Sequence, residues 1–157
     1  MSMGLSCSFA SLCKSNCDSS SRYPGCNKYF PLLSCDKKVK SHLRNVKVSQ
    51  ASVSSEKDLI LARAGLFDEA GDDLTICPKH RSEMGLFWRP SRKCQHPLHC
   101  NRNNKPERGA NLQISTEIML KWKVLVPIGA GIIYNTTVMS TCLVTESQTC
   151  SNQGLHL

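Results

Sequence analysis

The chain lacks the sequence machinery of the common enzyme classes. Its one glycine-rich run, Gly129-Ala130-Gly131, precedes no convincing helix, so no phosphate-cradling loop is indicated. Glu83 follows His80 closely, but the run CPKHRSE does not match the His-Glu-x-x-His arrangement of a catalytic zinc site. Cys77 and His80 are too close in sequence for the usual nucleophile dyad, and no third residue is placed to orient them. The opening residues MSMGLSCSFASLCKSNC have neither the basic start nor the unbroken apolar stretch of a secretory signal. Met-Ser-Met likewise differs from the Met-Gly start that N-myristoylation requires. Residues 124–144 are apolar, but Pro127, Gly129, Gly131, Asn135 and four Thr/Ser hydroxyls interrupt them, which argues against a membrane span. Asn135-Thr136-Thr137 matches a glycosylation acceptor, relevant only in a secreted chain. Apolar residues are unevenly spread, and a single large core is not expected.

Cysteine, by contrast, is abundant, with ten among 157 residues. Without a secretory signal the expected location is intracellular and reducing, where cysteines near histidines are read as metal ligands before disulfide halves. A secreted, disulfide-rich protein is the competing class. Charge is also segregated: residues 1–50 carry +6, residues 51–75 carry −4, and residues 76–108 carry +6, within a net +8. Basic charge thus coincides with the Cys-rich segments, which favours a polyanionic partner, nucleic acid first, and a nuclear location. The alternative is that the charge only maintains solubility.

Residues 1–36 hold Cys7, Cys13, Cys17, Cys26 and Cys35 among many serines and show no sustained period. Cys13-x3-Cys17 has the spacing of half a zinc site that Cys26 and Cys35 could complete, and a Cys/Ser-rich irregular leader is the alternative. KKVKSHLRNVKVSQ, 37–50, reads as an exposed strand, an import-like basic patch or a solvated linker. Ser55-x-x-Asp58 is a capping pair, and the spacing of Leu59, Ala62 and Leu66 predicts a helix over 55–69, weakened by Gly65. Pro78 suits the first position of a short helix that Gly85 ends. Leu112 and Ile114 alternate like a short strand, and Ser115 can cap a helix from Thr116 to Lys123.

The densest chemistry is CPKHRSEMGLFWRPSRKCQHPLHC, from Cys77 to Cys100. Cys77-x2-His80 and Cys94-x4-His99 are two close pairs of soft ligands, each within reach of one tight turn. Together they predict a closed, structural Zn2+ tetrahedron of Cys77, His80, Cys94 and His99, with Cys100 able to replace His99 and His96 as a spare. Trp88 serves as cover for the site or as a base-stacking platform.

The runs ICPKHRSEMGLFWRP, KCQHPLH and RGANLQISTEIMLKWKVLVPIGAGI resemble an uncharacterised Cys/His-rich module of predicted invertebrate proteins, over about residues 57–132. The resemblance implies a domain and no activity. Such modules continue into a further cysteine pair where this chain reads Ile132-Ile133-Tyr134-Asn135.

The combined expectation is a small, irregular, metal-stabilised α+β domain with short helices and little sheet over 54–132. It is flanked by a basic Cys/Ser-rich leader, 1–53, and an unstructured tail, 133–157. Its expected work is non-catalytic: recognition of nucleic acid through phosphate contacts of Lys79, Arg81, Arg89, Arg92, Lys93 and Arg102. A protein-interaction or adaptor module using the 55–69 helix and Leu86-Phe87-Trp88 is the second reading. No membrane or small-molecule substrate is expected.

Overall fold

Ser55 starts the helix around which the fold is packed. Its hydroxyl accepts the Asp58 backbone N–H at 3.3 Å and donates to the Asp58 carboxylate at 2.7 Å, closing the first turn. The computed structural model describes residues 6–24, 29–49, 52–99 and 105–133. Within these, the helices are α1 (Phe9–Cys13), α2 (Lys40–Asn45), α3 (Glu56–Arg63), α4 (Pro78–Met84) and α5 (Leu112–Trp122). The strands are β1 (Phe30–Pro31), β2 (Thr75–Ile76), β3 (Arg108–Gly109) and β4 (Gly131–Ile132), joined as two antiparallel ribbons, β1 with β2 and β3 with β4. The result is a small α+β domain of short helices and little sheet.

Both sides of α3 are buried. Ile60 and Leu61 join Phe9, Leu32, Ile76 and Met84 in one apolar cluster, while Leu59 and Ala62 join Val39, Leu43, Val46 and Ile128 in a second. Each such aliphatic side chain contributes about 1.5–3 kcal/mol on leaving water, so α3 holds the two clusters together. A third cluster, Cys94, Ala110, Ile118, Val126, Ala130 and Ile132, lies under α5 and the second ribbon.

The helix stops at Arg63 rather than at the expected 69. Gly65 adopts φ +80°, its N–H donates to the Ala62 carbonyl, and the Leu66 N–H reaches back to Leu61 at 2.9 Å. That 6→1 bond beside a left-handed glycine closes the helix end. Gly65, which weakened the sequence pattern, is its terminator.

The last helix also differs from expectation. Leu112 and Ile114 are not a strand but the first turn of α5, because Asn111 caps it by accepting the Ile114 N–H at 2.9 Å. Ser115 is fully buried inside the helix instead of capping it.

The segment 1–53, expected as an irregular leader, is part of the packed fold over its described residues. Phe9 and Leu32 are core side chains, and residues 37–50 contain α2, not a strand or linker. Val39, Leu43 and Val46 recur at helical spacing and are all buried. The Glu56 N–H donates to Lys37 and the Lys57 N–H to Cys35, so residue 54 marks no structural boundary. The tail from 134, with Asn135, Cys142 and Cys150, lies outside the described residues, as do Cys26, Cys100 and Arg102. No helix among the described residues is long and apolar enough to cross a membrane.

Candidate metal centre

Cys77 serves as the N-cap of α4. Its Sγ accepts the His80 backbone N–H at 3.4 Å, and Pro78, which has no N–H to leave unpaired, occupies the first turn. This local geometry turns the His80 ring back on Cys77, with Nδ1 3.1 Å from Sγ.

The other half of the site arrives from residues 6–18. Ser8 and Thr75 exchange hydrogen bonds at 2.9 and 3.0 Å, and the Thr75 hydroxyl donates to the Ser6 carbonyl. Farther along, the Lys79 N–H donates to the Asp18 carbonyl at 3.2 Å. These contacts lay the segment across the start of α4, and buried Phe9 anchors it in the core. Cys7 Sγ then lies 3.3 Å and Cys17 Sγ 4.0 Å from His80 Nδ1. The ligand atoms of Cys7, Cys17, Cys77 and His80 all fall within 4.8 Å of one another.

A tetrahedral shell with Zn–S near 2.3 Å and Zn–N near 2.0–2.1 Å has edges of about 3.6–3.8 Å, the scale of this cluster. Three sulfurs and one imidazole can therefore hold a metal ion. His80 is fully buried, and its Nε2 lies 2.7 Å from Ser15 Oγ. With Nδ1 bound to an ion the ring proton would sit on Nε2, where Ser15 Oγ is placed to accept it and hold the ring's orientation. Burial, followed by the neighbouring thiols of Cys77 and Cys7, pushes the Cys17 thiol up to about 12. Burial likewise raises Cys7, against the lowering effect of backbone N–H groups from Cys77 and Phe9. Thiols so placed lose their protons at neutral pH only to a cation. Cys35, raised by burial to about 11, and Cys13, raised chiefly by burial, stand outside the tetrad.

The expected tetrahedron of Cys77, His80, Cys94 and His99 is thus divided. Cys77 and His80 are completed by Cys7 and Cys17, whereas Cys94 and His99 lie together elsewhere, Sγ to Nδ1 3.5 Å, on the third cluster. Packing of the two pairs against different elements is the reason. Cys7 was missed because its partners lie some 70 residues away. All six described cysteines, Cys7, Cys13, Cys17, Cys35, Cys77 and Cys94, are free thiols.

No family model, curated protein or solved structure matches this chain.

The residues expected at phosphates have separate fates. Arg81 is 7% exposed and forms a two-pronged ion pair with fully buried Glu56 at 2.8 and 3.1 Å, its guanidinium stacked over Tyr23 and Phe30. It is a core residue, unavailable to an external phosphate. Lys79 is half-buried, with Nζ on the Asn16 carbonyl and 3.9 Å from Glu83. Arg89, Arg92 and Lys93 are exposed.

Exposed Lys40, Arg44 and Lys47 on and after α2 join them, a group that the basic composition of 37–50 signalled but its expected strand or linker form concealed. The Lys47 carbonyl accepts the Gly109 N–H at 3.0 Å, next to exposed Arg108, and the Arg89 charge acts on the ring of His42 in α2. Pro106 and the Ser91 carbonyl both flank Gly131, bringing the 91–93 loop beside Lys105 and Arg108. Two basic stretches distant in sequence therefore approach each other at these backbone contacts, with Glu107 as an acidic member among them.

The surface expected for a protein partner is largely consumed internally. Leu59, Ile60, Leu61 and Ala62 of α3 are buried, Trp88 lies beneath the Arg63 guanidinium at 4.1 Å, and Phe87 packs edge-on to Tyr23 at 5.8 Å.

Proposed function

We propose that the chain is a non-catalytic zinc module that recognises nucleic acid. The buried Cys7/Cys17/Cys77/His80 tetrad is the observation that carries the zinc part. Three soft sulfurs with one imidazole suit Zn2+, and four protein ligands leave no open position for a reacting water, which supports a structural rather than a catalytic ion. Exposed Lys40, Arg44, Lys47, Arg89, Arg92 and Arg108, on segments that meet at Lys47–Gly109 and at Ser91–Gly131, support the polyanionic partner.

The test is binding of the zinc-loaded full chain to duplex DNA and to single-stranded RNA across a salt series. For the duplex, log K is expected to fall against log salt with a slope near −0.9 per phosphate contact. Charge reversal at Arg44 or Arg92 should reduce that slope by about one contact each and weaken binding across all sequences. An absence of binding at low salt, or affinity indifferent to salt, overturns the nucleic-acid reading while leaving the zinc tetrad intact.

A further inference from the structure

Cys94 and His99, on a different apolar cluster, reproduce the local chemistry of Cys77 and His80. In both pairs a cysteine Sγ faces a histidine Nδ1, at 3.1 Å in the first and 3.5 Å in the second. Backbone amides also point at sulfur in both places: Cys77 N–H to Cys7 and His80 N–H to Cys77 in the first, and Ile133 N–H to Cys94 at 3.3 Å in the second. Cys94 and His99 are both buried, and the 3.5 Å separation is close to the roughly 3.6 Å edge of a sulfur–nitrogen pair on tetrahedral zinc.

We infer that Cys94 Sγ and His99 Nδ1 are ligands of a second metal ion, of the soft divalent class that includes Zn2+, independent of the ion held by the tetrad. His96 is not a third ligand. Its Nδ1 accepts the Leu98 N–H at 3.2 Å, which leaves the ring proton on Nε2 and no lone pair for a metal. Its ring lies 4.8 Å from His99 and meets Trp122 edge-on at 5.1 Å, making it a wall that keeps the His99 imidazole in place. The tetrad ties residues 6–18 to α4. The second ion ties the loop before the 97–99 turn to β4, through the sulfur that the Ile133 amide holds.

The experiment is metal titration of the reduced full chain with Zn2+ or Co2+ alone, counted as ions per chain. Two ions are expected in the parent, one in Cys94→Ser and one in Cys77→Ser. Because a serine variant can lose metal by misfolding, His99→Cys supplies an opposite signature. It should retain two ions and increase the sulfur-to-cobalt charge-transfer absorption by one added sulfur, whereas a rise in the ion count from one in the parent to two in the variant marks a site created by the new thiol and overturns the second site. One ion in the parent, lost in Cys77→Ser and kept in Cys94→Ser, leaves the tetrad standing and overturns the second site. An unchanged cobalt spectrum in His99→Cys overturns it too, and a parent with no ion sinks both sites.

Discussion

The hydroxyl of Ser15 lies 2.7 Å from Nε2 of His80, on the side of the ring opposite the three thiols. Ser15 therefore supports the ring that turns Nδ1 toward the thiols without itself being one of the tetrad. Ser15→Ala should weaken metal affinity about 10- to 100-fold at unchanged stoichiometry, read by chelator competition. Equal affinity in the two proteins would show that the ring is oriented by its packing alone.

Removing the metal should loosen the molecule unevenly. Residues 6–18 are tied to α4 by the tetrad and a few hydrogen bonds, whereas α5 and the second ribbon lie on a separate apolar cluster. Chelation of the tetrad ion should accelerate amide exchange in α1 and the start of α4 far more than in α5, as read by hydrogen exchange with mass spectrometry. Uniform acceleration throughout would mean that the ion holds the whole fold.

Arg81 and Glu56 form a buried pair, so taking one partner strands the other's charge. Arg81→Met should cost about 3–5 kcal/mol in urea unfolding. The double change Glu56→Leu with Arg81→Met should be milder than the sum of the single ones, because no buried charge remains. Additive losses would mean that the two side chains act independently.

His42 provides a pH dependence at a residue outside the tetrad. Its Nε2 faces the Arg63 guanidinium at 2.9 Å, the Arg89 charge adds to this, and the Leu86 backbone is its other partner. Burial first, and then the two arginines, lowers the ring from 6.5 to about 4. The unfolded chain takes up a proton near 6.5 while the folded protein does not. Stability is therefore complete above that pH and falls as pH drops toward about 4, by on the order of 3 kcal/mol. His42→Gln, which keeps an acceptor for Arg63, should flatten that part of the stability profile relative to the parent; parallel profiles would sink the assignment.

What the sequence revealed was mostly local. Ser55 as a cap, Pro78 as a first helical residue, Gly85 as a stop and the Cys77–His80 pair all depend on neighbours within a turn, and these physical preferences are visible in a short window. What it concealed was the choice of distant partner. A close ligand pair specifies one edge of a tetrahedron, and which second edge meets it depends on where Phe9, Leu32 and Ile76 pack. Arg81 shows the same limit: its charge suggests an exposed cation, and only the buried carboxylate of Glu56 reverses that. For residues 37–50 the helical period of Val39, Leu43 and Val46 was present, but Lys40 and Arg44 between them and the flanking lysines made the segment look like an exposed strand or linker.

The long span between the two halves of the tetrad bears on how the protein is made. His80 follows Cys17 by 63 residues, and translation at about 5–20 residues per second therefore leaves Cys7 and Cys17 outside the ribosome for roughly 3–13 s before their partners emerge. During that interval the nascent chain presents thiols without the imidazole that completes their shell. Any ion that the tetrad holds is accordingly bound only after α4 has emerged, and until then Cys7 and Cys17 have no imidazole partner.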